Sequence, residues 1–296
     1  MSKGLLTYKG NKMDLMAQPI VLKDLEYRSL VKLIYDKSGI NLGDRKQELV
    51  KTRLGKRLRA LGIKSYGDYF KFVTTVGNDE ELKNLINAIS TNFTSFYREP
   101  QHFEFLFKTA LKVIAESKEV APSRKIRAWC AAASSGEEPY SLGITLLEYF
   151  KAQSAWDIKL LATDISSKVL TEAFRGTYPA EKIKTVSPFL LDRYFEKETG
   201  DKGAMYRVKN EVKRLIIFRH LNLMDPVFPF RGPFDFIFCR NVLIYFDLPT
   251  QEAIVAKILK YLAPGGYFFT SHSENIPLKF RSQVQVLAPA TYRKVK

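Results

Sequence analysis

The stretch KIRAWCAAASSGEEPYSLGITLLEYF, Lys125 to Phe150, decides the fold. Its opening apolar run reads as a buried strand, its middle is a loop of small side chains from Ala131 to Gly136, and EEPYSLGITLLEYF reads as a helix. The alternation then repeats: IKLLATD precedes ISSKVLTEAF, and RLIIFRHLNL, FDFIFC and GYFFTSHS follow, with VQVLA and TYRKV as a closing antiparallel pair. Strands alternating with helices imply a doubly wound α/β sheet with a largely parallel core over residues 124–296.

Two segments do not belong to that alternation. Residues 178–214 are too long and too polar for a simple connection, so they predict an inserted β-subdomain with a helix in SPFLLDRYF and short strands around MYRVKNEV. From Leu22 to Ile89 the spacing is helical: Leu30, Leu33 and Ile34 stop at Gly39, Val50, Leu54, Leu58 and Leu61 stop at Gly62, and Leu82, Leu85, Ile86 and Ile89 repeat the pattern. Asp44 and Gln47 resemble a capping box before the middle run. These features predict an all-α domain over residues 1–90, joined by a linker and connecting helix over 91–123.

Composition narrows the function. With 46% hydrophobic and 26% charged residues, this is soluble globular material, and no run approaches the roughly 18 apolar residues of a membrane span. The N-terminus lacks the apolar core and cleavage site of a signal peptide, so the expected location is the cytoplasm. Cys130 and Cys239 predict neither a disulfide nor, with His102, His220 and His272 scattered, a zinc site. The net charge of +16, from 47 Lys and Arg against 31 Asp and Glu, points to an acidic partner: nucleic acid, an anionic surface or an acidic protein. Seven of those bases lie between Arg45 and Arg59. On a helix Lys46, Arg53 and Arg57 fall within about 40° of one another, as a stripe that could lie along an acidic helix or a phosphate backbone, or as an ordinary solvated face.

In a doubly wound sheet, ligands bind at the carboxyl ends of the strands. The loop Ala131–Gly136 would let a ligand approach the backbone, although with one glycine it is no GxGxxG match. Glu137 and Glu138 at the helix start would repel a pyrophosphate but accept a cation, or merely stabilise the first helical turn. Asp164, at the end of the second strand, is placed as a partner of ribose hydroxyls or as a cap of the next helix. Together they suggest a nucleoside ligand with positive charge and no phosphate, a description that S-adenosylmethionine fits. In GPFDFIFCRNVLIYF, Gly232 to Phe246, a polar Arg240–Asn241 pair interrupts an otherwise apolar run and needs partners.

The motifs WCAAASSGEEPYS, LLATDIS, FRGTY, GPFDFIFCRNVLIYF and SHSEN in this order, with TNFTSFYRE upstream, closely resemble the CheR-type chemotaxis receptor methyltransferases over nearly the whole chain. The resemblance implies a Rossmann-like S-adenosylmethionine methyltransferase domain with a small inserted β-subdomain, preceded by an all-α N-terminal domain. It implies methyl transfer to glutamate side chains on the cytoplasmic helices of chemoreceptors, giving methyl esters. Carried over by motif, the cofactor contacts are Asn92, Thr94, Arg98, Glu137, Glu138, Asp164, Asn222, Leu223, Arg240 and Asn241; Arg98, Arg240 and Tyr245 are the catalytic group, with the two arginines orienting the incoming carboxylate or the cofactor's own. Lys46, Arg53 and Arg57 become receptor-binding residues, and the insert a grip for a receptor C-terminal peptide. The expected protein is a monomer that binds no nucleic acid and inserts in no membrane. A nucleic-acid methyltransferase is disfavoured because amino-group methylation of bases generally places an Asp/Asn-Pro-Pro-aromatic loop where this chain has CRNV. A non-catalytic scaffold is disfavoured by the intact cofactor motifs. His272 to Asn275 in SHSEN read as structural, shaping the strand end near the site, and Cys239 as a packing residue.

Overall fold

The computed structural model describes residues 20–43, 45–119, 124–153, 156–200 and 203–295. The helical region contains α1 (Asp24–Ser38), α2 (Gln47–Leu61), α3 (Tyr66–Thr74) and α4 (Asp79–Ile89). Gly39 and Gly62 end α1 and α2 in the left-handed region, at φ 73° and 68°, where a side chain would be strained. Leu30, Ile34, Val50, Leu54, Leu58 and Leu85 are fully buried and form the core of this region. Asp44 lies outside the described residues, and the residue preceding α2 is Lys46, with no side-chain cap. The third helix has no long apolar stripe to announce it; Ser65 starts it by accepting the Asp68 N–H at 3.0 Å.

Residues 100–119 form one rod, α5 (Pro100–Phe105), a π-helical turn (Leu106–Ala110) and α6 (Leu111–Glu119). A seven-stranded sheet follows, in the order β6-β2-β1-β7-β8-β10-β9. Its strands are β1 (Lys125–Cys130), β2 (Asp157–Asp164), β6 (Ile216–His220), β7 (Phe234–Phe238), β8 (Leu262–Phe269), β9 (Val284–Ala288) and β10 (Thr291–Lys294). The first five pair in parallel, and β10 runs antiparallel to both β8 and β9. Crossovers are made by α7 (Glu137–Phe150), α8 (Ser167–Arg175) and α11 (Leu248–Tyr261). Side chains alternate between the two faces, so Ala128, Cys130, Phe236 and Phe238 fill one core while Trp129, Ile237 and Cys239 fill the other.

The insert is a three-stranded sheet, β3 (Thr177–Pro179), β4 (Phe195–Gly200) and β5 (Gly203–Val208), in the order β3-β5-β4, with α9 (Pro188–Tyr194) between β3 and β4. Two details differ from the expected pattern. FEKETG is a strand despite its charges, because it is half of a hairpin with β5 and its side chains largely face solvent. NEVK, expected to extend a strand, forms the short helix α10 (Asn210–Lys213), which buries Val212 against Gly143 of α7.

Chain order leaves β1 outward to β2 and β6 and returns to β7 on the other side of β1, so the sheet's switch point lies at the carboxyl ends of β1 and β7. The helical region closes over this end. The Asn41 N–H donates to the Tyr245 carbonyl at 2.8 Å, the Tyr35 hydroxyl to Asp247 at 2.8 Å, and the Asn222 amide to the Lys37 carbonyl at 2.7 Å. Among the described residues no helix is long and apolar enough to cross a membrane.

Candidate active site

The cleft at the switch point is lined from both regions, by Ser38, Ile40, Leu42, Lys46 and Leu49 with residues 89–94 and Arg98 on one side and by the ends of β1, β2, β6 and β7 on the other. Its non-atom space is about 1050 Å³, counting the solvent of its open mouth. Leu42, Leu49, Ile165, Leu221 and Leu223 supply apolar wall suited to a base ring, and Arg98, Glu138, Asp164 and Asn241 supply polar groups.

The backbone around the cleft is shaped by residues in the left-handed region: Tyr97 (φ 51°), Glu99 (φ 56°), Ser134 (φ 48°) and Asn241 (φ 55°) are four of the five non-glycine cases among the described residues. Each such residue costs about 1–3 kcal/mol and is held by its surroundings. Ser134 is held by Asp164, whose two oxygens accept the N–H groups of Ser134 and Ser166, each at 2.9 Å. The cap of α8 is therefore Ser166, whose hydroxyl accepts the Val169 N–H, and Asp164 is left facing the cleft. Burial pushes the Asp164 carboxyl up, while those N–H donors pull it down. Gly136, at φ 99°, has no room for a side chain: a Cβ would stand 2.7 Å from the Tyr178 hydroxyl and 2.9 Å from Ala173 Cβ.

The two glutamates of GEEPY diverge. Glu137 is fully buried, and its carboxylate is taken by Lys182 at 2.8 Å and by the Ser135 hydroxyl at 2.7 Å, which directs it to the insert and away from the cleft. Glu138 lines the cleft and accepts from Arg240 at 2.7 Å and from the Cys130 thiol at 3.3 Å. Burial raises its carboxyl above the usual range against the pull of Arg240.

Arg240 requires a correction to its expected role. Its side chain is 0% exposed, and the guanidinium is bound by Glu138 at 2.7 Å, Glu99 at 3.2 Å and the Arg98 carbonyl at 2.6 Å. Arg240 lines the cleft, but its guanidinium is already committed to these three acceptors and so holds the site together. Arg98 also lines the cleft and has no carboxylate partner there among the described residues; it donates to the Phe93 carbonyl at 3.0 Å and lies 5.5 Å from the centre of the exposed Phe93 ring. Asn92 and Thr94 also line the cleft, and the Asn92 carbonyl accepts the Ser134 hydroxyl at 2.9 Å. Asn222 and Leu223 are in the wall, with the Asn222 amide committed to Lys37 as described.

The basic stripe on α2 is also redistributed. Arg57 makes a forked ion pair with buried Glu81, and Arg53 donates to the carbonyls of Ile89 and Ser90 and to the Thr91 hydroxyl. Both fasten α2 to α4. Lys46 is at the cleft, and the exposed cations in and before α2 include Arg45, Lys56 and Arg59.

Glu99 and its neighbours carry little signal in the sequence, because only Glu99 and His102 are close along the chain and His272 and Arg240 reach them through the fold. The Glu99 oxygen that faces both rings, 3.5 Å from His102 Nδ1 and 3.8 Å from His272 Nε2, is the one that accepts from Arg240, so a guanidinium already supplies the positive charge that a metal would. Burial opposes ionisation of Glu99, but Arg240 outweighs it and holds the carboxyl below its usual range. For His102, burial first and the Arg240 charge second push the pKa down from 6.5 to about 4. The unfolded chain therefore takes up a proton between pH 6.5 and about 4 that the native state refuses, and stability falls as pH drops through that window. In urea unfolding, His102→Phe is expected to lose about 2 kcal/mol less than wild type between pH 7 and pH 5. Equal losses in the two proteins would show that His102 titrates normally.

The chain's relatives agree with this geometry. Residues 92–292 match the family described as CheR methyltransferase, SAM binding domain, and residues 25–90 match CheR methyltransferase, all-alpha domain. The chain belongs to the CheR methyltransferase family. It is 41% identical over 261 residues to the chemotaxis protein methyltransferase of Salmonella typhimurium, covering 88% of this chain and 87% of that one. It is 39% identical over 275 residues to that of Borreliella burgdorferi, covering 93% and 95%, and 39% identical over 261 residues to that of Escherichia coli K12, covering 88% and 87%. This member of the CheR family is accordingly an S-adenosylmethionine-dependent methyltransferase of chemotaxis. The cleft fits the cofactor: a buried carboxylate for hydroxyl donors, a small-residue loop for close approach, apolar wall for a base, and carboxylates in place of a phosphate-binding cradle.

Proposed function

We propose that the protein methylates glutamate side chains on the cytoplasmic helices of chemoreceptors, in the cytoplasm, and that the cleft at the switch point is the site. The observation that carries this reading is the pairing of an acceptor-rich nucleoside pocket with cationic Arg98 and Lys46 along one cleft. S-adenosylmethionine supplies an electrophilic methyl group on a sulfonium centre. A carboxylate acceptor is already ionised near neutral pH, so the protein needs no strong general base. Its task is placement, and bringing reacting atoms to about 3–3.5 Å in line can supply several kcal/mol.

In this reading Asp164 accepts from the ribose hydroxyls, and Glu138 with Asn92, Thr94 and Asn241 surrounds the cationic end of the cofactor. Arg98 orients the acceptor carboxylate by charge-assisted hydrogen bonds. Arg240 keeps Glu138 and Glu99 in place. The exposed bases Lys46, Lys56 and Arg59, with a net charge of +16 behind them, suit the acidic helices of a receptor. The insert is proposed as a grip for a receptor's C-terminal peptide, which could add to one of its two edge strands, β3 or β4. The protein is proposed to act as a monomer.

Tyr245 is proposed to act at the reacting centre, since it lines the cleft and its own carbonyl is tied to Asn41 of the helical region. Tyr245→Phe is expected to lower methyl transfer to receptor-containing membranes about 10- to 100-fold while S-adenosylhomocysteine affinity stays within about twofold. Normal turnover with weakened affinity would assign Tyr245 to cofactor binding. The transfer itself is tested with radiolabelled S-adenosylmethionine: label on receptor that alkali releases supports an ester, and alkali-stable label contradicts it.

A further inference from the structure

The loop after β7 presents Asn241 and Tyr245 to the cleft, and the N–H groups of Asn241, Val242 and Ile244 all turn away from the cleft toward one carboxylate. Glu274 Oε2 accepts the Asn241 N–H at 2.9 Å, and Oε1 accepts those of Val242 at 2.8 Å and Ile244 at 3.2 Å. The Ser271 N–H and hydroxyl also donate to Oε2, each at 2.8 Å. Glu274 is 5% exposed, so its charge is met by N–H dipoles of two turns. Asn241 itself sits at φ 55°, a conformation held by its surroundings.

We infer that Glu274 is a positioning residue of the methyltransferase site: it fixes the 241–245 turn from behind and acts on cofactor and acceptor only through Asn241 and Tyr245. The inference rests on the reading of the cleft given above. It follows from donor and acceptor counts. A carboxylate offers acceptor lone pairs on both oxygens, and all five donors need them. Glutamine has the same shape but one amide NH2, and in either orientation that NH2 meets backbone N–H groups, two in the Asn241 and Ser271 pair or two in the Val242 and Ile244 pair. Aspartate keeps both acceptors on a stem one methylene shorter.

The test compares wild type, Glu274→Gln, Glu274→Asp, Asn241→Ala and the double variant Asn241→Ala/Glu274→Gln. Amide hydrogen exchange over residues 240–246 reports the turn without any ligand, and calorimetric titration with S-adenosylhomocysteine reports the site. Glu274→Gln is expected to speed exchange by about 10-fold or more either at Asn241 or at Val242 and Ile244, according to which donors its NH2 faces, and to weaken S-adenosylhomocysteine about 10-fold, with Glu274→Asp between it and wild type. In the Asn241→Ala background the same substitution should weaken binding by less than about threefold, because Asn241 is the side chain through which it acts on cofactor affinity and Tyr245 acts on transfer. A full tenfold loss repeated in that background, or exchange at wild-type rates in Glu274→Gln, overturns the inference. Should Glu274→Gln not fold, Glu274→Asp carries both comparisons. If wild type binds no S-adenosylhomocysteine while Glu274→Gln speeds exchange, the turn-holding role stands and the cofactor reading of the cleft fails.

Discussion

Replacing Arg240 with leucine is expected to lower the unfolding free energy by about 3–5 kcal/mol, the usual result of removing one partner from a buried ion cluster. The guanidinium lies between Glu138 and Glu99 and also donates to the Arg98 carbonyl, so its loss leaves two carboxylates and a carbonyl without their donor. Arg240→Lys should recover little of this, because one ammonium cannot span three acceptors that a planar fork reaches together. The deficit has a pH signature. Without Arg240, Glu138 is a buried carboxyl whose native pKa stands still further above its unfolded value, so the native state binds more protons and its stability falls as pH rises. Urea unfolding at pH 5 and pH 8 should therefore show a larger loss at pH 8. A loss under about 1 kcal/mol at both values would mean that the cluster is held by other contacts.

Substituting Asp164 by asparagine is expected to weaken S-adenosylhomocysteine by about 30- to 100-fold, or about 2–3 kcal/mol. Both carboxylate oxygens are already used on the inside, one by Ser134 N–H and one by Ser166 N–H, and the side chain lines the cleft. An asparagine NH2 would oppose one of those backbone donors. It would displace either the loop at Ser134 or the start of α8, and it would present a donor where a ribose needs an acceptor. Titration calorimetry measures the affinity, and the unfolding midpoint of the same variant separates a local effect from a global one. Binding within threefold of wild type would remove Asp164 from the cofactor contacts.

Much of this architecture is legible in the sequence because its signals are local. The alternation of buried strand and helix over residues 125–269, the stops at Gly39 and Gly62, and the carboxylate at the end of β2 all follow from patterns within about 15 residues. The resemblance placed Asn92, Thr94 and Arg98, which by themselves look like a cap and a linker; the fold brings them to the cleft through the turn before α5. What the sequence does not show is which way a side chain turns. Glu137 and Glu138 are adjacent, yet one meets Lys182 of the insert and the other Arg240. Arg53 and Arg57 share a helical face with Lys46, but α4 packs against α2 there and takes both guanidinium groups. The approach of Arg240 and His272 to Glu99, and the hold of Glu274 on residues 241–244, depend on contacts between residues 30 or more positions apart. Periodicity carries no record of such contacts. SHSEN reads as structural from His272 to Asn275, but that its glutamate holds the neighbouring loop has no local signal, since its partners are backbone N–H groups of that loop.

The measurement that bears most directly on the central claim is calorimetric titration of the purified protein with S-adenosylhomocysteine. One saturable site per chain, weakened in Asp164→Asn, is the expected result; the absence of binding in a folded wild-type protein would contradict the assignment of the cleft.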